Sequence, residues 1–189
     1  MKVAITGTIG SGKSVVSDYL RSRDFKIFDC DKYNTYLLEN DNDVLNQIIA
    51  NFPDAVEHLK VNKKKLADII FKDDLKREIL ENITHPLIIK EMKRQAEKEE
   101  LFFAEVPLLF EKGLDDYFDV IILVVCNEKI GEYRLVNKGY SKESIELRKK
   151  NQLSVEEKIK RASEIIYNNG SFQYLYEEID KLLVKYDWE

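Results

Sequence analysis

The stretch GTIGSGKS, Gly7 to Ser14, decides the interpretation of this 189-residue chain, because three of its 7 glycines lie within six positions. Glycine loses more conformational freedom on folding than any other residue, so this cluster indicates a backbone that bends sharply or approaches a ligand closely. The stretch matches G-x-x-x-x-G-K-[S/T], for which average residue usage gives fewer than ~0.01 chance matches in such a chain. The sequence therefore predicts a phosphate-binding loop.

The residue types of this loop suit a phosphate chain. Gly7, Gly10 and Gly12 would let backbone N–H groups converge on phosphate oxygens, at the positive end of a helix that begins near Lys13. Lys13 would reach the β- and γ-phosphates, and the Ser14 hydroxyl would hold Mg2+. The motif alone names no reaction, because kinases, GTPases and motor ATPases all carry it.

The composition indicates an ordinary folded protein. Hydrophobic residues make up 44% of the chain and charged residues 34%, as in globular proteins. The longest apolar run, Val120 to Cys126, has seven residues, against the roughly 20 that cross a bilayer. The opening MKVAITG lacks the apolar core and cleavage site of a secretory signal. We therefore expect no membrane segment and a cytoplasmic location.

Charge and metal-binding residue types exclude some functions. A net charge of −5 argues against nucleic acid as the main partner. Cys30 and Cys126 are too few for a disulfide framework, and no close cysteine or histidine spacing around His58 or His85 would form a metal cage. Any metal is therefore expected to be bound by oxygen atoms and shared with a ligand.

Hydrophobic periodicity predicts an α/β domain. The chain opens with a predicted strand at Lys2 to Thr6, which is followed by the glycine loop and a helix. The alternating segment Phe25 to Asp31 predicts a second strand. Residues 32–100 are almost wholly helical in pattern, with two helices expected to meet at His85-Pro86, because proline suits the first turn of a helix. Further strands are predicted at Leu101 to Val106, Asp119 to Val125 and Glu164 to Tyr167, with a closing helix over Phe172 to Tyr186. Continuous apolar strands separated by helices predict a parallel sheet covered on both faces.

Two aspartates follow the second predicted strand's apolar residues. Asp29 and Asp31 would share one side of an extended strand, at the carboxyl edge where ligands bind in open α/β sheets. The alternative is that Asp31 caps the following helix, and the pattern alone does not separate the two interpretations of Asp31.

The rest of the chain narrows the class of P-loop protein. Asn137-Lys138 continues as Gly139-Tyr140 and not as the N-K-x-D motif of GTPases. Since motors and large ATPases usually need a longer chain, a small-molecule kinase is the class that remains.

Five segments, in their order and separations, resemble one family. They are TGTIGSGKS (6–14), FDCD (28–31), ITHPLI (83–88), VPLLFEKGL (106–114) and IIYNNG (165–170). Through them the chain resembles the dephospho-CoA kinases over nearly its whole length. The resemblance implies that ATP, with Mg2+, phosphorylates the 3'-hydroxyl of the ribose of dephospho-CoA, giving coenzyme A and ADP.

The resemblance also implies an architecture. The fold would be a three-layer α/β P-loop kinase fold with a five-stranded parallel sheet. Its core would comprise residues 1–31, 101–133 and 151–189. A helical substrate-binding insertion would occupy residues 32–100, and a mobile lid residues 134–150.

Individual residues receive implied roles as well. Asp31 matches the second aspartate of the D-x-D motif, which receives the hydroxyl proton. His85 matches the substrate-binding histidine of HPLI, and its position before Pro86 would place it at a helix N-terminus. Asn168 begins a turn that is implied to lie near adenine. The other implied site residues are Pro107 and Leu108 for the acceptor, Arg134 and Arg148 for catalysis from the lid, and Lys138 together with Gly10, Ser11, Gly12, Lys13, Ser14 and Val15 for the nucleotide.

Without the resemblance these residues have plainer interpretations. His85 would be a capping residue, the lid cations a solvated helix face, and the turn at Asn168 a strand-to-helix connection. Lys138 stands where the family has an arginine and offers a point charge instead of a planar fork. Thr35 and Ser163 replace a basic and an acidic residue. Two rival functions stay open: a nucleoside or nucleotide kinase, and a nucleotide-dependent switch that phosphorylates no metabolite.

Overall fold

The computed structural model describes residues 1–188. The strands are β1 (Lys2–Gly7), β2 (Ile27–Asp29), β3 (Val56–Glu57), β4 (Lys60–Val61), β5 (Phe102–Glu105), β6 (Val120–Val125) and β7 (Glu164–Tyr167). The helices are α1 (Lys13–Ser22), α2 (Cys30–Asn40), α3 (Asn42–Asn51), α4 (Lys63–Lys72), α5 (Asp74–Ala96), α6 (Glu128–Asn137), α7 (Lys142–Lys150), α8 (Val155–Arg161) and α9 (Phe172–Tyr186).

The chain divides into two compact units. The core unit comprises Met1–Asp29 and the chain from Ala96 onward, and the helical unit comprises Cys30–Gln95. The core unit holds β1, β2, β5, β6 and β7, and the helical unit holds α2 to α4, most of α5 and the short strands β3 and β4. No described helix combines the length and the apolar character that a bilayer crossing requires.

A five-stranded parallel sheet lies at the centre of the core unit and confirms the predicted fold class. The strand order is β2-β5-β1-β6-β7, and every neighbouring pair is parallel. β6 is buried along its whole length, as expected for a strand covered by helices on both faces. Because β1 is the middle strand, the loop that follows it opens at the centre of the carboxyl edge.

Helices α1 and α9 contribute to one hydrophobic core with the sheet. Val16 and Leu20 come from α1, Leu175 and Ile179 from α9, and Ile5 from β1, each at most 1% exposed. Burying an aliphatic side chain of this size stabilises the fold by about 1.5–3 kcal/mol. This packing fixes the position of α1, and so of its first turn, relative to β1.

β2 is shorter than the sequence predicts. The alternation predicts a strand from Phe25 to Asp31, but β2 ends at Asp29 and Cys30 begins α2. The last pair of the β2–β5 ladder joins Asp29 to Glu105, where β5 itself ends. Because β5 offers no further residue to pair with, the chain turns into a helix. The prediction that Asp29 and Asp31 share one side of a strand is therefore wrong.

The helical unit contains a feature that periodicity did not predict. β3 and β4 form an antiparallel hairpin in which Val56 pairs with Val61. Its turn holds His58 and Leu59 at φ 50° and 59°, the left-handed conformation of a two-residue hairpin turn. Strands of two residues are too short to display an alternating pattern.

α5 runs without a break from Asp74 to Ala96, so the predicted junction of two helices at His85-Pro86 is wrong. A proline inside a helix removes one backbone hydrogen bond and crowds the preceding turn, at a cost of about 3 kcal/mol. Burial of apolar side chains along α5 offsets this cost. Those at most 8% exposed are Leu80, Ile83, Ile88, Met92 and Ala96. His85 therefore lies in the middle of a helix and not at its N-terminus.

Replacing Pro86 by alanine should raise the free energy of unfolding by about 1–3 kcal/mol, because alanine restores the backbone N–H and removes the crowding. Urea denaturation followed by circular dichroism measures the change. Pro53→Ala is the matched control, since Pro53 opens a 3-10 turn, where proline is favourable, and this variant should gain nothing. A Pro86→Ala protein no more stable than the parent would contradict the expectation.

Candidate active site

The GTIGSGKS loop joins the central strand to the first helix. Gly7 ends β1 and pairs with Val124 of β6, and α1 begins at Lys13. The residue before the helix is Gly12, which has a left-handed φ of 95° and no side chain that could cap the first turn. The N–H groups of this turn, at the positive end of the helix dipole, form the kind of site that binds phosphate.

Two glycines of the loop are required by the groups packed against them. An ideal Cβ on Gly10 would lie 2.6 Å from the carbonyl oxygen of Gly131, and one on Gly12 would lie 2.3 Å from Nδ2 of Asn168. Both glycines also have left-handed φ values, 77° and 95°, which other residues rarely adopt. Gly131 of α6 and Asn168 after β7 are therefore packed directly against the loop.

Arg134 and Asn168 meet at the carbonyl oxygen of Ser11. Nδ2 of Asn168 donates a hydrogen bond to this oxygen at 2.8 Å, and Nη1 of Arg134 donates to it at 3.4 Å. Nη2 of Arg134 also donates to Oδ1 of Asn168 at 3.4 Å. The structure therefore brings together three of the predicted site residues, although Arg134 and Asn168 are 34 positions apart in the chain.

Two further side chains contact the loop backbone. Oε1 of Gln152 accepts a hydrogen bond from the N–H of Ile9 at 3.1 Å. The thiol of Cys126 lies 3.6 Å from the carbonyl oxygen of Gly10. Burial raises the pKa of this thiol, while the nearby Arg134 acts in the opposite direction, so the group stays protonated at neutral pH. Residues at the end of β6, in α6 and in the segment after α7 therefore contact the loop.

Lys138 and Arg148 lie in the helical hairpin formed by α6 and α7. The backbone N–H of Lys138 ends α6 by donating to the carbonyl oxygen of Arg134 at 3.2 Å. The guanidinium of Arg148 lies 5.0 Å from the ring centre of Tyr140. Within residues 1–188, the contacts found for Lys138 and Arg148 are inside the hairpin, whereas Arg134 reaches the loop.

One lysine joins the two helices of this hairpin. The ammonium of Lys149 in α7 contacts Glu128 at 2.8 Å and also Glu132, both in α6, and lies 3.4 Å from Glu146 in its own helix. Hydrogen bonds to these carboxylates raise the pKa of Lys149. The two helices are therefore held to each other by a shared charge.

The segment after β5 carries Pro107 and Leu108 and is anchored by a buried ion pair. Both residues are half-buried. Oε1 of Glu111 lies 2.8 Å from Nζ of Lys158 and accepts a hydrogen bond from the N–H of Leu153 at 2.9 Å. The Lys158 side chain is 0% exposed, and a charge buried to this degree requires a compensating partner. The pair therefore fixes α8 against the segment after β5.

The remaining predicted residues lie at the end of β2 and in the helical unit. Asp29 ends β2, and its carboxylate is 3.5 Å from Nη2 of Arg21. Asp31 is exposed in the first turn of α2, and His85 is half-buried within α5. Because α2 begins at Cys30, Asp31 is neither at the end of a strand nor the cap of the helix. The helix N-terminus predicted at His85 is also absent, since α5 begins at Asp74.

Sequence reasoning missed the contacts of Gly131 and Lys158. An isolated glycine in a helical pattern indicates a close backbone approach, and Gly131 in α6 carried that signal. Ser154 and Glu157 form a capping box, which marks the start of α8. Lys158 itself gave no signal, because a lysine in a charged helix normally faces solvent.

Solved structures of known proteins define the class of this protein. A crystal structure from Thermus thermophilus is similar with a TM-score of 0.83 and 31% identity, covering 98% of this chain and 97% of that one. A dephospho-CoA kinase from Campylobacter jejuni is similar with a TM-score of 0.69 and 28% identity, at the same coverage. With the glycine loop between β1 and α1, this fold defines a P-loop kinase.

Sequence comparison gives the family. The dephospho-CoA kinase model matches residues 1–173. A dephospho-CoA kinase from Aquifex aeolicus (strain VF5) is 33% identical over 186 residues, which are 96% of this chain and 95% of that protein. The chain belongs to the dephospho-CoA kinase family, whose members use ATP to phosphorylate dephospho-CoA to coenzyme A. The family that the motifs resemble is thereby confirmed.

Replacing Lys158 by methionine should lower the free energy of unfolding by about 3–5 kcal/mol, because the Glu111 carboxylate would remain buried without its cation. Urea denaturation at neutral pH measures the loss. Adding Glu111→Leu should recover most of it, since an apolar pair leaves no uncompensated charge. Lys160→Met, at an exposed position of α8, is the control and should change stability by at most about 0.5 kcal/mol. Equal effects of Lys158→Met and Lys160→Met would contradict this account.

Proposed function

We propose that this chain transfers the γ-phosphoryl group of ATP to the 3'-hydroxyl of the ribose of dephospho-CoA, with Mg2+ as the metal. Membership of the family supplies the overall reaction. The observation that carries the proposal is the Gly7 to Ser14 loop, which holds a helix N-terminus without a side-chain cap at the centre of the carboxyl edge. The choice of hydroxyl rests on the resemblance of the FDCD and HPLI segments.

The donor side of the reaction would use the run from Gly10 to Val15. Its backbone N–H groups and the Lys13 ammonium would bind the phosphates at the start of α1. Among the described residues, no group of three His, Cys, Asp or Glu side chains could hold a metal ion. The hydroxyl of Ser14, which is exposed in the first helical turn, would hold Mg2+ together with oxygen atoms of the nucleotide. The ion would neutralise charge on the phosphate chain.

Three cations would stabilise the group in transfer. Arg134 is supported in this role because its guanidinium lies 3.4 Å from the carbonyl oxygen of Ser11, at the loop itself. Arg148 and Lys138 belong to the same hairpin, and we propose residues 134–150 as the lid. Fixed cations offset charge that develops in the transition state, and a lid excludes water.

Asp31 would receive the proton of the acceptor. The ribose oxygen forms a bond to the γ-phosphorus, the bond from that phosphorus to the β–γ bridging oxygen breaks, and ADP leaves with that oxygen. Because the transition state is loose, Asp31 would orient the hydroxyl at least as much as deprotonate it. The neighbouring carboxylate of Asp29 lies 3.5 Å from Nη2 of Arg21 at the end of β2, and the resemblance assigns the proton to Asp31.

The acceptor side would also use His85, Pro107 and Leu108. Pro107 and Leu108 follow the carboxyl end of β5, next to β1, at the edge where open α/β sheets bind ligands. The support for His85 is the HPLI resemblance. We further propose a cytoplasmic enzyme with a small-molecule partner and no nucleic acid. Free thiols at Cys30 and Cys126 and a net charge of −5 support this setting.

Purified protein with Mg2+, ATP and dephospho-CoA should form coenzyme A, measured by chromatography. Lys13→Ala should abolish the product, because the ammonium that binds the β- and γ-phosphates is lost. Lys2→Ala, at the start of β1 and away from the loop, is the control and should retain activity. Nucleosides run in parallel test the rival acceptor class. Phosphorylation of a nucleoside without formation of coenzyme A would reject the proposed acceptor.

Asp31→Asn should reduce turnover by roughly 100-fold or more, because the amide cannot take up the hydroxyl proton. Affinity for ATP, measured by calorimetry, should stay close to that of the parent. Asp29→Asn is the matched comparison and should reduce turnover far less. Full turnover in Asp31→Asn would remove this residue from the chemistry, and an equal loss in both variants would point to a structural effect at the end of β2.

A further inference from the structure

Asn168 is buried where the last strand of the sheet ends. It follows β7 directly, and its N–H donates to the carbonyl oxygen of Val125 at 2.8 Å, which continues the β6–β7 ladder. The residue is 2% exposed. Because β6 lies between β7 and β1, the side chain reaches back past the end of β6 to the loop after β1. The sheet, and not a free turn, holds this side chain in position.

Both ends of the Asn168 amide face protein groups. The carbonyl oxygen of Ser11 can only accept a hydrogen bond, so the group 2.8 Å from it is the NH2. The guanidinium of Arg134 can only donate, so the group 3.4 Å from it is the oxygen. These two contacts determine the orientation of the amide. A side chain so buried, with these partners, offers a purine ring almost no surface.

The contact with Ser11 sets the direction of the next N–H group. The carbonyl of Ser11 and the N–H of Gly12 belong to one planar trans peptide, in which the two bonds point in opposite directions. With the carbonyl held toward Asn168, the Gly12 N–H is directed away from it. The space is also filled, because a Cβ on Gly12 would lie 2.3 Å from Nδ2 of Asn168. A peptide turned over would lose the hydrogen bond to the Ser11 carbonyl and would bring its own N–H toward the NH2 of Asn168, two donors with no acceptor between them.

We propose that Asn168 is a positioning residue that orients the Ser11–Gly12 peptide, so that the N–H of Gly12 faces the phosphate chain of the nucleotide. The residue acts on phosphate binding through the loop and takes no part in recognition of the base. The inference rests on the proposed function and deepens its donor side. Arg134 assists by donating to the same carbonyl oxygen and to the asparagine.

The test compares ligands with and without a base. Calorimetry on the full chain measures binding of Mg2+-tripolyphosphate, Mg-ATP and Mg-GTP to the parent, to Asn168→Ala and to Asn168→Leu. All three ligands should lose affinity by the same factor, roughly tenfold, because the buried Ser11 carbonyl loses its strongest donor. The ratio of ATP to GTP affinity should stay that of the parent. Asn168→Leu keeps the side-chain volume and decides the question if Asn168→Ala fails to fold.

A control removes a comparable hydrogen bond elsewhere. Thr84 is also 2% exposed, and its hydroxyl donates to the carbonyl oxygen of Leu80 inside the helical unit. Thr84→Val should leave tripolyphosphate affinity unchanged. Loss of ATP affinity with unchanged tripolyphosphate affinity in the Asn168 variants would overturn the proposal in favour of a base contact. Unchanged affinity for all three ligands would also overturn it, because Asn168 would then have no role in nucleotide binding.

The outcomes also separate this inference from the proposed function. If the parent binds tripolyphosphate, depends on Asn168 for it and forms no coenzyme A, the acceptor assignment fails and the role of Asn168 stands. If coenzyme A forms and tripolyphosphate binding ignores Asn168, the reverse holds. A parent protein that binds neither tripolyphosphate nor ATP and forms no coenzyme A would overturn both.

Discussion

The site depends on apolar packing between the first helix and the sheet. Val16 and Leu20 of α1 are buried with Ile5 of β1 in the main core, and this burial fixes the first turn of α1 at the centre of the carboxyl edge. The short loop between β1 and α1 must then reverse direction while Gly131 and Asn168 pack against it. Left-handed φ values at Gly10 and Gly12 allow that turn, and the helix dipole gives it a positive potential.

The loop belongs to the start of the chain, but its shape is set by the rest of the core unit. Gln152 bonds to Ile9 across 143 positions and Asn168 to Ser11 across 157. A phosphate-binding motif of eight residues is therefore complete only when β6, α6 and β7 are in place. Such distant contacts cost loop-closure entropy and are recovered only as the whole sheet assembles, which links the geometry of the loop to the stability of the entire core unit.

The parts that sequence reasoning predicted correctly are those whose signal is local. The parallel sheet was predicted from the apolar runs of β1, β6 and β7, and the nucleotide-binding edge from the glycine loop. The family was predicted from the order of the motifs. The errors arose where distant groups decide. β2 ends early because β5 offers no partner beyond Glu105, and α5 continues through Pro86 because burial along the helix outweighs the lost hydrogen bond. Site roles that depend on the acceptor stay predictions, whereas Arg134 and Asn168 are found at the loop.

The shared charge at Lys149 has a consequence for the hairpin that carries Arg134 and Arg148. Two carboxylates of α6, those of Glu128 and Glu132, contact the ammonium of Lys149, and Glu146 approaches it from the lysine's own helix, so removal of either α6 carboxylate leaves the other to join the two helices. This linkage between the helices has two acidic residues in α6 but a single basic residue, Lys149, in α7. Loss of Lys149 alone would therefore remove both of these contacts between α6 and α7, whereas loss of one α6 carboxylate would remove only one of them.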